Sequence, residues 1–222
     1  APSLVWGERS WTWGQTAARV DALVAALRRR GFGKGDAILV QAKNSNQMFE
    51  SLWAAFTLGA IWVPTNYRLT PPEVAYIATS SGAKAMLYDD SFPQHADAVR
   101  AASGALRLTV AIGKARADEE SFENLIAEGN GDVVEPAEVD YADPCWFFYT
   151  SGTTGRPKAA VLTHGQLAFV TNNHLADLMP GTTHWGDASL VVAPLSHGAG
   201  VHVLSQVARG AKSVLTAGEK FD

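Results

Sequence analysis

Short apolar runs alternate with amphipathic stretches along the whole chain, and this alternation constrains the fold more than any other feature of the sequence. The runs at 37–40 and 85–88 hold four apolar residues each, whereas most of the stretches between such runs place apolar residues at helical intervals over ten residues or more. This pattern is typical of βαβ units, in which a helix joins two parallel strands. We therefore expect an α/β fold with helices flanking a mostly parallel sheet.

Helix-capping signals predict where two of the helices begin. Thr12 and Gln15 have the spacing of a capping box, and the helix they start is expected to end before Gly31. The run Thr70-Pro71-Pro72-Glu73 predicts a second start, because proline suits the first helical turn. Further helices are expected near 47–58, 94–102, 121–128, 165–178 and 198–208. Strands are expected at 37–40, 61–63, 85–88, 107–110, 146–149, 159–162, 190–192 and 213–215, and a surface connection at 129–144.

Composition narrows the class of protein. Hydrophobic residues make up 47% and charged residues 18% of the 222 residues, which is ordinary for a folded domain. The net charge is −4, and the longest basic run, Arg28-Arg29-Arg30, is expected to form a solvated last helical turn, so nucleic-acid binding is not predicted. The single cysteine, Cys145, excludes an internal disulfide and favours a cytoplasmic protein with a buried structural thiol. No apolar run reaches 18 residues, so a transmembrane segment is not predicted.

Several titratable residues are expected to be structural. The acidic pairs Asp89-Asp90 and Glu119-Glu120 are interpreted as solvated turns. His164 is expected to begin a helix. His197 and His202 are five residues apart, a spacing that does not fit a zinc site on one helix face.

A segment rich in hydroxyl groups follows the predicted strand at 146–149. It reads Thr150-Ser151-Gly152-Thr153-Thr154-Gly155-Arg156-Pro157-Lys158. Its glycines allow backbone N–H groups to converge on an anion, its hydroxyl groups can donate hydrogen bonds, and its lysine supplies a positive charge for phosphate oxygens. The segment is not a Walker A loop, because Pro157 stands where that pattern needs glycine before the lysine. It indicates a different kind of phosphate-binding loop.

This phosphate loop resembles that of the adenylate-forming (AMP-binding) superfamily, which includes acyl-CoA and aryl-CoA synthetases and peptide-synthetase adenylation domains. Segments 12–36, 58–66 and 193–197 resemble other core segments of that family in the same order, so the likeness covers nearly the whole chain. The resemblance implies the first subdomain of the large N-terminal domain of such an enzyme. Ser196 departs from many relatives, which have an aromatic residue or Met before the histidine, and this affects the expected shape of the pocket.

The resemblance also implies a function and its residues. A small-molecule carboxylic acid would be activated with ATP and Mg²⁺ to an acyl-adenylate, and coenzyme A would then form the thioester. The residues that would bind ATP are Thr150, Ser151, Gly152, Thr153, Thr154, Gly155 and Lys158. His197 would be the catalytic residue beside the acyl group or the adenylate. No metal ligand is assigned.

The same resemblance places the adenine pocket, the adenylation lysine and a mobile C-terminal lid domain beyond Asp222. Residues 1–222 are therefore expected to be a truncated N-terminal AMP-binding domain that is inactive alone and could self-associate through an exposed sheet edge. Two alternatives stay open. The parent could be a peptide-synthetase-type adenylation domain, or the chain could be a non-catalytic module that binds a nucleotide or a partner.

Overall fold

The computed structural model describes residues 1–150, 156–179 and 186–216. Its strands are β1 Pro2–Trp6, β2 Arg9–Thr12, β3 Ala37–Gln41, β4 Ile61–Pro64, β5 Ala85–Asp89, β6 Leu108–Ile112, β7 Glu120–Ser121, β8 Pro144–Thr150, β9 Lys158–Thr163, β10 Ala188–Val191 and β11 Lys212–Leu215. Its helices are α1 Trp13–Arg29, α2 Asn46–Leu58, α3 Pro71–Ser81, α4 Pro93–Ala102, α5 Phe122–Glu128, α6 His164–Asn173 and α7 Gly198–Ala208. A π-helical turn, His174–Leu178, continues α6.

Seven strands form the larger sheet, in the spatial order β7, β6, β5, β3, β4, β8, β9. Every neighbouring pair in it is parallel except β8 and β9, which form an antiparallel hairpin. Each residue of β3, in the middle of the sheet, is buried, as expected where helices cover both faces of a parallel sheet. The predicted α/β class with a mostly parallel sheet is confirmed.

Strand β3 shows how the helices fill the two faces. Ile38 and Val40 point into a core formed largely by α1, α2 and α5, whereas Leu39 points into a second core under α3 and α4. In the first core, Trp62 of β4 and Trp146 of β8 lie opposite each other in the parallel pair, with ring centroids 4.6 Å apart. These indole rings help to fix the position of β8, the strand that leads into the predicted phosphate loop.

A second, four-stranded sheet has the order β10, β11, β1, β2. Its hairpin of β1 and β2 turns at Gly7, whose φ of 59° suits glycine. Strand β1 then pairs with β11 in parallel, with Leu4 opposite Ser213. Neither β1 nor β2 was predicted from the sequence, because these short strands mix polar and aromatic residues and β1 also depends on a partner about 200 residues away.

Most predicted boundaries agree with the structure. Capping boxes are present at Thr12 and Thr70, and α7 spans the predicted range. Residues 129–143 form neither helix nor strand, and the Ala137 N–H donates to the Thr57 carbonyl oxygen at 2.8 Å. Among the described helices, none combines the length and apolar character needed to cross a membrane.

One expectation about charged residues was confirmed and another was wrong. The arginine run forms the exposed end of α1 as predicted, where Arg29 also pairs with Asp132 at 2.7 Å and Arg30 with Glu128 at 2.8 Å and Glu120 at 2.9 Å. Glu119, in contrast, is not in a solvated turn, since its side chain is fully buried and ion-paired. Its partner Arg116 is three residues away, but Arg100 and Tyr88 come from other elements, which local sequence patterns do not reveal.

Candidate functional site

The β8–β9 hairpin brings the two described ends of the predicted phosphate loop together. Thr150, the last residue of β8, lies directly opposite Lys158, the first residue of β9, and both side chains are exposed. Residues directly opposite in an antiparallel pair have Cβ atoms only about 5 Å apart. A hydroxyl group and an ammonium group thus share the end of one hairpin. The other predicted loop residues, Ser151, Gly152, Thr153, Thr154 and Gly155, lie outside the described residues.

Beside this hairpin end is a cavity of about 370 Å³. It lies where β4 and β8 end, at the carboxyl edge of the parallel strands, which is where open α/β sheets bind ligands. Its described lining is Pro64, Thr65, Asn66, Leu69, Ile77, Phe148, Tyr149, Thr150, Pro157 and His197. The structure therefore brings His197 and Thr150, both predicted site residues, to one cavity. The described lining residues include no Asp or Glu, so none of them would repel an anionic group.

His197 occupies the N-cap position of α7, and its ring centroid lies 5.9 Å from that of Phe148. The turn before it is held by Asn44, which follows β3. The Asn44 side chain accepts a hydrogen bond from the Leu195 N–H and donates one to the Ala193 carbonyl oxygen, both at 2.9 Å. Asn44 was not predicted from the sequence, because it lies about 150 residues before the segment that it holds and belongs to none of the motifs.

Thr65 is a second residue of the cavity to which sequence analysis gave no role. It is buried just after β4, and its hydroxyl group donates to the Val40 carbonyl oxygen at 3.0 Å and contacts the Gln41 side chain. The resembling segment 58–66 was the signal that could have marked it. These bonds join the ends of β3 and β4 and give one wall of the cavity a defined position.

Other reactive side chains lie away from this cavity. Cys145 is fully buried, its thiol donates to the Leu162 carbonyl oxygen at 3.4 Å, and burial raises its pKa to about 12. The predicted burial of this thiol is confirmed. His164 begins α6 beside Phe56, and His202 stacks on His174 at 4.8 Å. Within the three described ranges, no group of three His, Cys, Asp or Glu side chains could hold a metal ion.

The parallel sheet, its terminal antiparallel hairpin and the second sheet together define the N-terminal fold of adenylate-forming enzymes. The anthranilate CoA ligase AuaEII, solved in complex with anthranoyl-AMP, has this fold: its TM-score is 0.90 at 25% identity, over 98% of this chain and 42% of that one. The AMP-binding enzyme family matches residues 1–222, and the chain belongs to that family.

Curated relatives include a feruloyl-CoA synthase of Amycolatopsis sp., 32% identical over 94% of this chain and 39% of that protein. They also include the fatty acid–[acyl-carrier-protein] ligase ScoC of Streptomyces coeruleorubidus, 31% identical over 88% of this chain and 36% of that protein. The matched part of this chain thus spans less than half the length of either relative.

Proposed function

We propose that this chain supplies the phosphate-binding part of an AMP-forming acid–thiol ligase that acts on a small-molecule carboxylic acid. One observation carries the proposal: Thr150 and Lys158 pair across the end of the hairpin, beside a cavity that Thr150 shares with His197. Membership of the AMP-binding enzyme family and the named activities of the relatives support it.

In the first step, a carboxylate oxygen attacks the α-phosphorus of ATP, the bond to the bridging oxygen breaks, and pyrophosphate leaves. Lys158 and the Thr150 hydroxyl group are suited to hold phosphate oxygens, because exposed ammonium and hydroxyl donors stabilise the charge that gathers on the departing pyrophosphate. We assign Ser151, Gly152, Thr153, Thr154 and Gly155 to the same task. His197, which also lines the cavity, would contact the acyl group or the adenylate.

In the second step, a thiol sulfur attacks the acyl carbon, the thiol proton is lost, and AMP leaves. When Mg²⁺ is bound with ATP, it would neutralise part of the negative charge of the phosphates. The ammonium group at the hairpin end fits the phosphates and not the metal, the hydroxyl group would fit either, and the described residues provide no acidic cluster for Mg²⁺. We therefore assign to this part of the chain the binding of the nucleotide phosphates, through which Mg²⁺ would be held.

The chemistry of the cavity suggests the class of acid. Leu69, Ile77 and Phe148 give it apolar walls, while His197 and Asn66 add polar groups. Apolar walls with a few polar groups suit an aryl or alkyl chain with one polar end. The feruloyl-CoA synthase and the fatty-acid ligase among the relatives are named for acids of these two kinds.

The acceptor thiol has two candidates. We favour coenzyme A, which the feruloyl-CoA synthase name supports. The second candidate is a thiol bound to a carrier protein, which the similarity to ScoC, named for an acyl-carrier protein, supports. A peptide-synthetase-type adenylation domain would use the same kind of thiol. Incubating the enzyme with ATP and acid, and then with either coenzyme A or a phosphopantetheinylated carrier protein, distinguishes the two by the thioester formed.

The proposal is tested by pyrophosphate release from the full-length protein with MgATP and a panel of aryl and fatty acids. We expect release with at least one acid, and a large loss of it in Lys158→Met. Lys114→Met is the matched control, because Lys114 is also an exposed lysine but lies in a loop away from the cavity. Nucleotide binding without release would instead support a non-catalytic module, and no nucleotide binding at all would refute the proposal.

Two further properties stay predictions. We expect the isolated 222-residue chain to release no pyrophosphate, since the adenylation lysine is expected elsewhere. We also expect some self-association of that chain, because Val161, Leu190 and Val192 expose about half of their surface, at 48%, 55% and 56%. Size-exclusion chromatography that gave a clean monomer would contradict the second expectation.

We also propose a cytoplasmic location, which the single cysteine favours and which fractionating cells would test.

A further inference from the structure

We propose that Tyr76 and Ser80, four residues apart on α3, are positioning residues that hold the two ends of the phosphate loop. This inference rests on the proposed function and goes beyond it by assigning α3 a part in nucleotide binding. Residues four apart lie on the same face of a helix, so both side chains project from one side of α3.

The first contact lies just before the loop. The hydroxyl groups of Tyr149 and Ser80 are 2.6 Å apart, a hydrogen-bond distance. Tyr149 lies on β8 directly before Thr150, and it lines the cavity. Burial raises the pKa of Tyr149, and hydrogen bonds with Ser80 and Ser81 oppose that rise. The hydroxyl group of Tyr149 is therefore held at the surface of α3 while its ring is half-buried.

The second contact lies just after the loop. The Arg156 guanidinium carbon is 5.7 Å from the centre of the Tyr76 ring, which is within the range of a cation–π interaction. Arg156 is followed by Pro157, which lines the cavity, and by Lys158. Proline restricts its own backbone and that of the preceding residue, so a contact at Arg156 is transmitted to the start of β9.

The helix that makes both contacts is itself well anchored. Val74, Ile77 and Ala78 are fully buried in the core between α3 and the sheet, and a capping box closes the first turn. Tyr76 and Ser80 thus project from a rigid element, as groups that position a binding site need to do. Ser80 contacts Tyr149 and Tyr76 contacts Arg156, and the two contacts lie one turn of α3 apart. Together they fix the distance across the hairpin end, and with it the spacing of the phosphate-binding groups at Thr150 and Lys158.

The test uses variants of the full-length protein and two measurements. Tyr149→Phe removes the phenolic hydroxyl group and so its hydrogen bonds with both Ser80 and Ser81. Tyr76→Leu removes the ring that Arg156 contacts. The control is Thr79→Ala: Thr79 is an exposed neighbour on the same helix whose hydroxyl group bonds within the helix, to the Ala75 carbonyl oxygen at 3.0 Å. Tyr76→Phe keeps the ring and should restore the behaviour lost in Tyr76→Leu.

Hydrogen–deuterium exchange measures the holding of the loop without depending on activity. We expect faster exchange of residues 149–158 in Tyr149→Phe and in Tyr76→Leu, with unchanged exchange at 37–41 in β3. The dissociation constant of MgATP should rise about three- to tenfold, the usual effect of losing one hydrogen bond, or about two- to fivefold for an exposed cation–π contact. Thr79→Ala and Tyr76→Phe should match the wild type in both measurements.

The outcomes separate this inference from the proposed function. The positioning role would be overturned by unchanged exchange at 149–158 in both variants. It would also be overturned by faster exchange with an unchanged MgATP dissociation constant. In either case, nucleotide binding by the wild type would still support the proposed function. A wild-type protein that bound no MgATP would refute the proposed function and the positioning role together. Faster exchange accompanied by weaker MgATP binding supports the inference.

Discussion

The phenolic hydroxyl group of Tyr88 donates a hydrogen bond of 2.5 Å to the carboxylate of Glu119. Tyr88 is buried on β5, and Glu119 comes from the loop before β7. Arg116 donates two side-chain hydrogen bonds to the same carboxylate, at 2.7 and 3.0 Å, and Arg100 of α4 also pairs with it. Burial alone would raise the pKa of Glu119, but these hydrogen bonds outweigh it and lower the pKa to about 2.

The Glu119 network predicts a loss of stability in acid. Because the folded-state pKa lies below the ordinary value of 4.5, the ionised carboxylate stabilises the fold fully above pH 4.5, and this contribution is lost as the pH falls toward 2. Glu119→Gln should therefore cost about 3 kcal/mol of unfolding free energy at pH 7 and much less near pH 2.5. Glu120→Gln is the control, since the partly exposed Glu120 pair with Arg30 is worth about 1 kcal/mol or less.

Urea unfolding at a series of pH values measures both variants. An equal loss for Glu119→Gln at pH 7 and pH 2.5 would show that the carboxylate charge does not stabilise the fold.

Arg19 is predicted to be essential for stability because of Glu50. The Glu50 carboxylate is fully buried in α2, and Arg19 donates to both of its oxygens at 2.7 and 3.0 Å. Arg19→Met should destabilise the protein by about 3–5 kcal/mol, because it leaves a buried charge unpaired. Arg29→Met should cost about 1 kcal/mol or less, since Arg29 and Asp132 are largely exposed. Thermal unfolding compares the two.

A pH series adds a second check on this pair. Burial raises the pKa of Glu50 even though Arg19 opposes the rise. Removing Arg19 should raise the pKa of Glu50 further, and protonation of Glu50 below that pKa removes the unpaired charge. The loss of unfolding free energy in Arg19→Met should therefore shrink as the pH falls from 7 to 5. A deficit that stayed constant would contradict an unpaired carboxylate as the cause.

Gly200 is predicted to be the critical glycine of the segment that carries His197. A Cβ atom at Gly200 would lie 2.2 Å from the Leu195 carbonyl oxygen and 2.7 Å from the Trp146 ring. Gly200→Ala should therefore displace α7 and cost about 1–3 kcal/mol or more, as overpacking usually does. Gly198→Ala is a close control, because no atom lies within 4 Å of its added Cβ. Chemical denaturation that ranked the two variants equally would contradict the close packing of α7 on Trp146.

His197 is predicted to affect catalysis more than folding. It is half-buried at the cavity, where Phe148 is its aromatic neighbour. His197→Ala in the full-length protein should lower the rate of pyrophosphate release by about a hundred- to a thousandfold, the usual cost of removing one positioned group that stabilises the transition state. His202→Ala is the control, because His202 is exposed on the same helix and stacks on His174. Equal turnover of the two variants, at similar melting temperatures, would remove His197 from the site.

The parts of the fold that sequence analysis predicted depend on residues close together in the chain. Thr70 and Glu73 form their capping box within one helical turn, and the buried run of β3 is recognisable from five consecutive residues. The hydroxyl-rich segment after β8 was found for the same reason. The strand at 159–162 was also predicted, but its antiparallel pairing with β8 was not, because the direction of a strand in a sheet is decided by tertiary packing.

By itself, the sequence determined the helices, the buried parallel strands and the position of the segment between Thr150 and Lys158. Tertiary structure alone decided that β1 would pair with β11, which places Leu4 opposite Ser213. It also decided that Asn44 would hold the turn before His197 and that Glu119 would be buried. The physical reason is that helix caps and apolar periodicity act over a few residues. Strand partners, buried ion pairs and the lining of a cavity instead depend on which distant surfaces meet when the core closes.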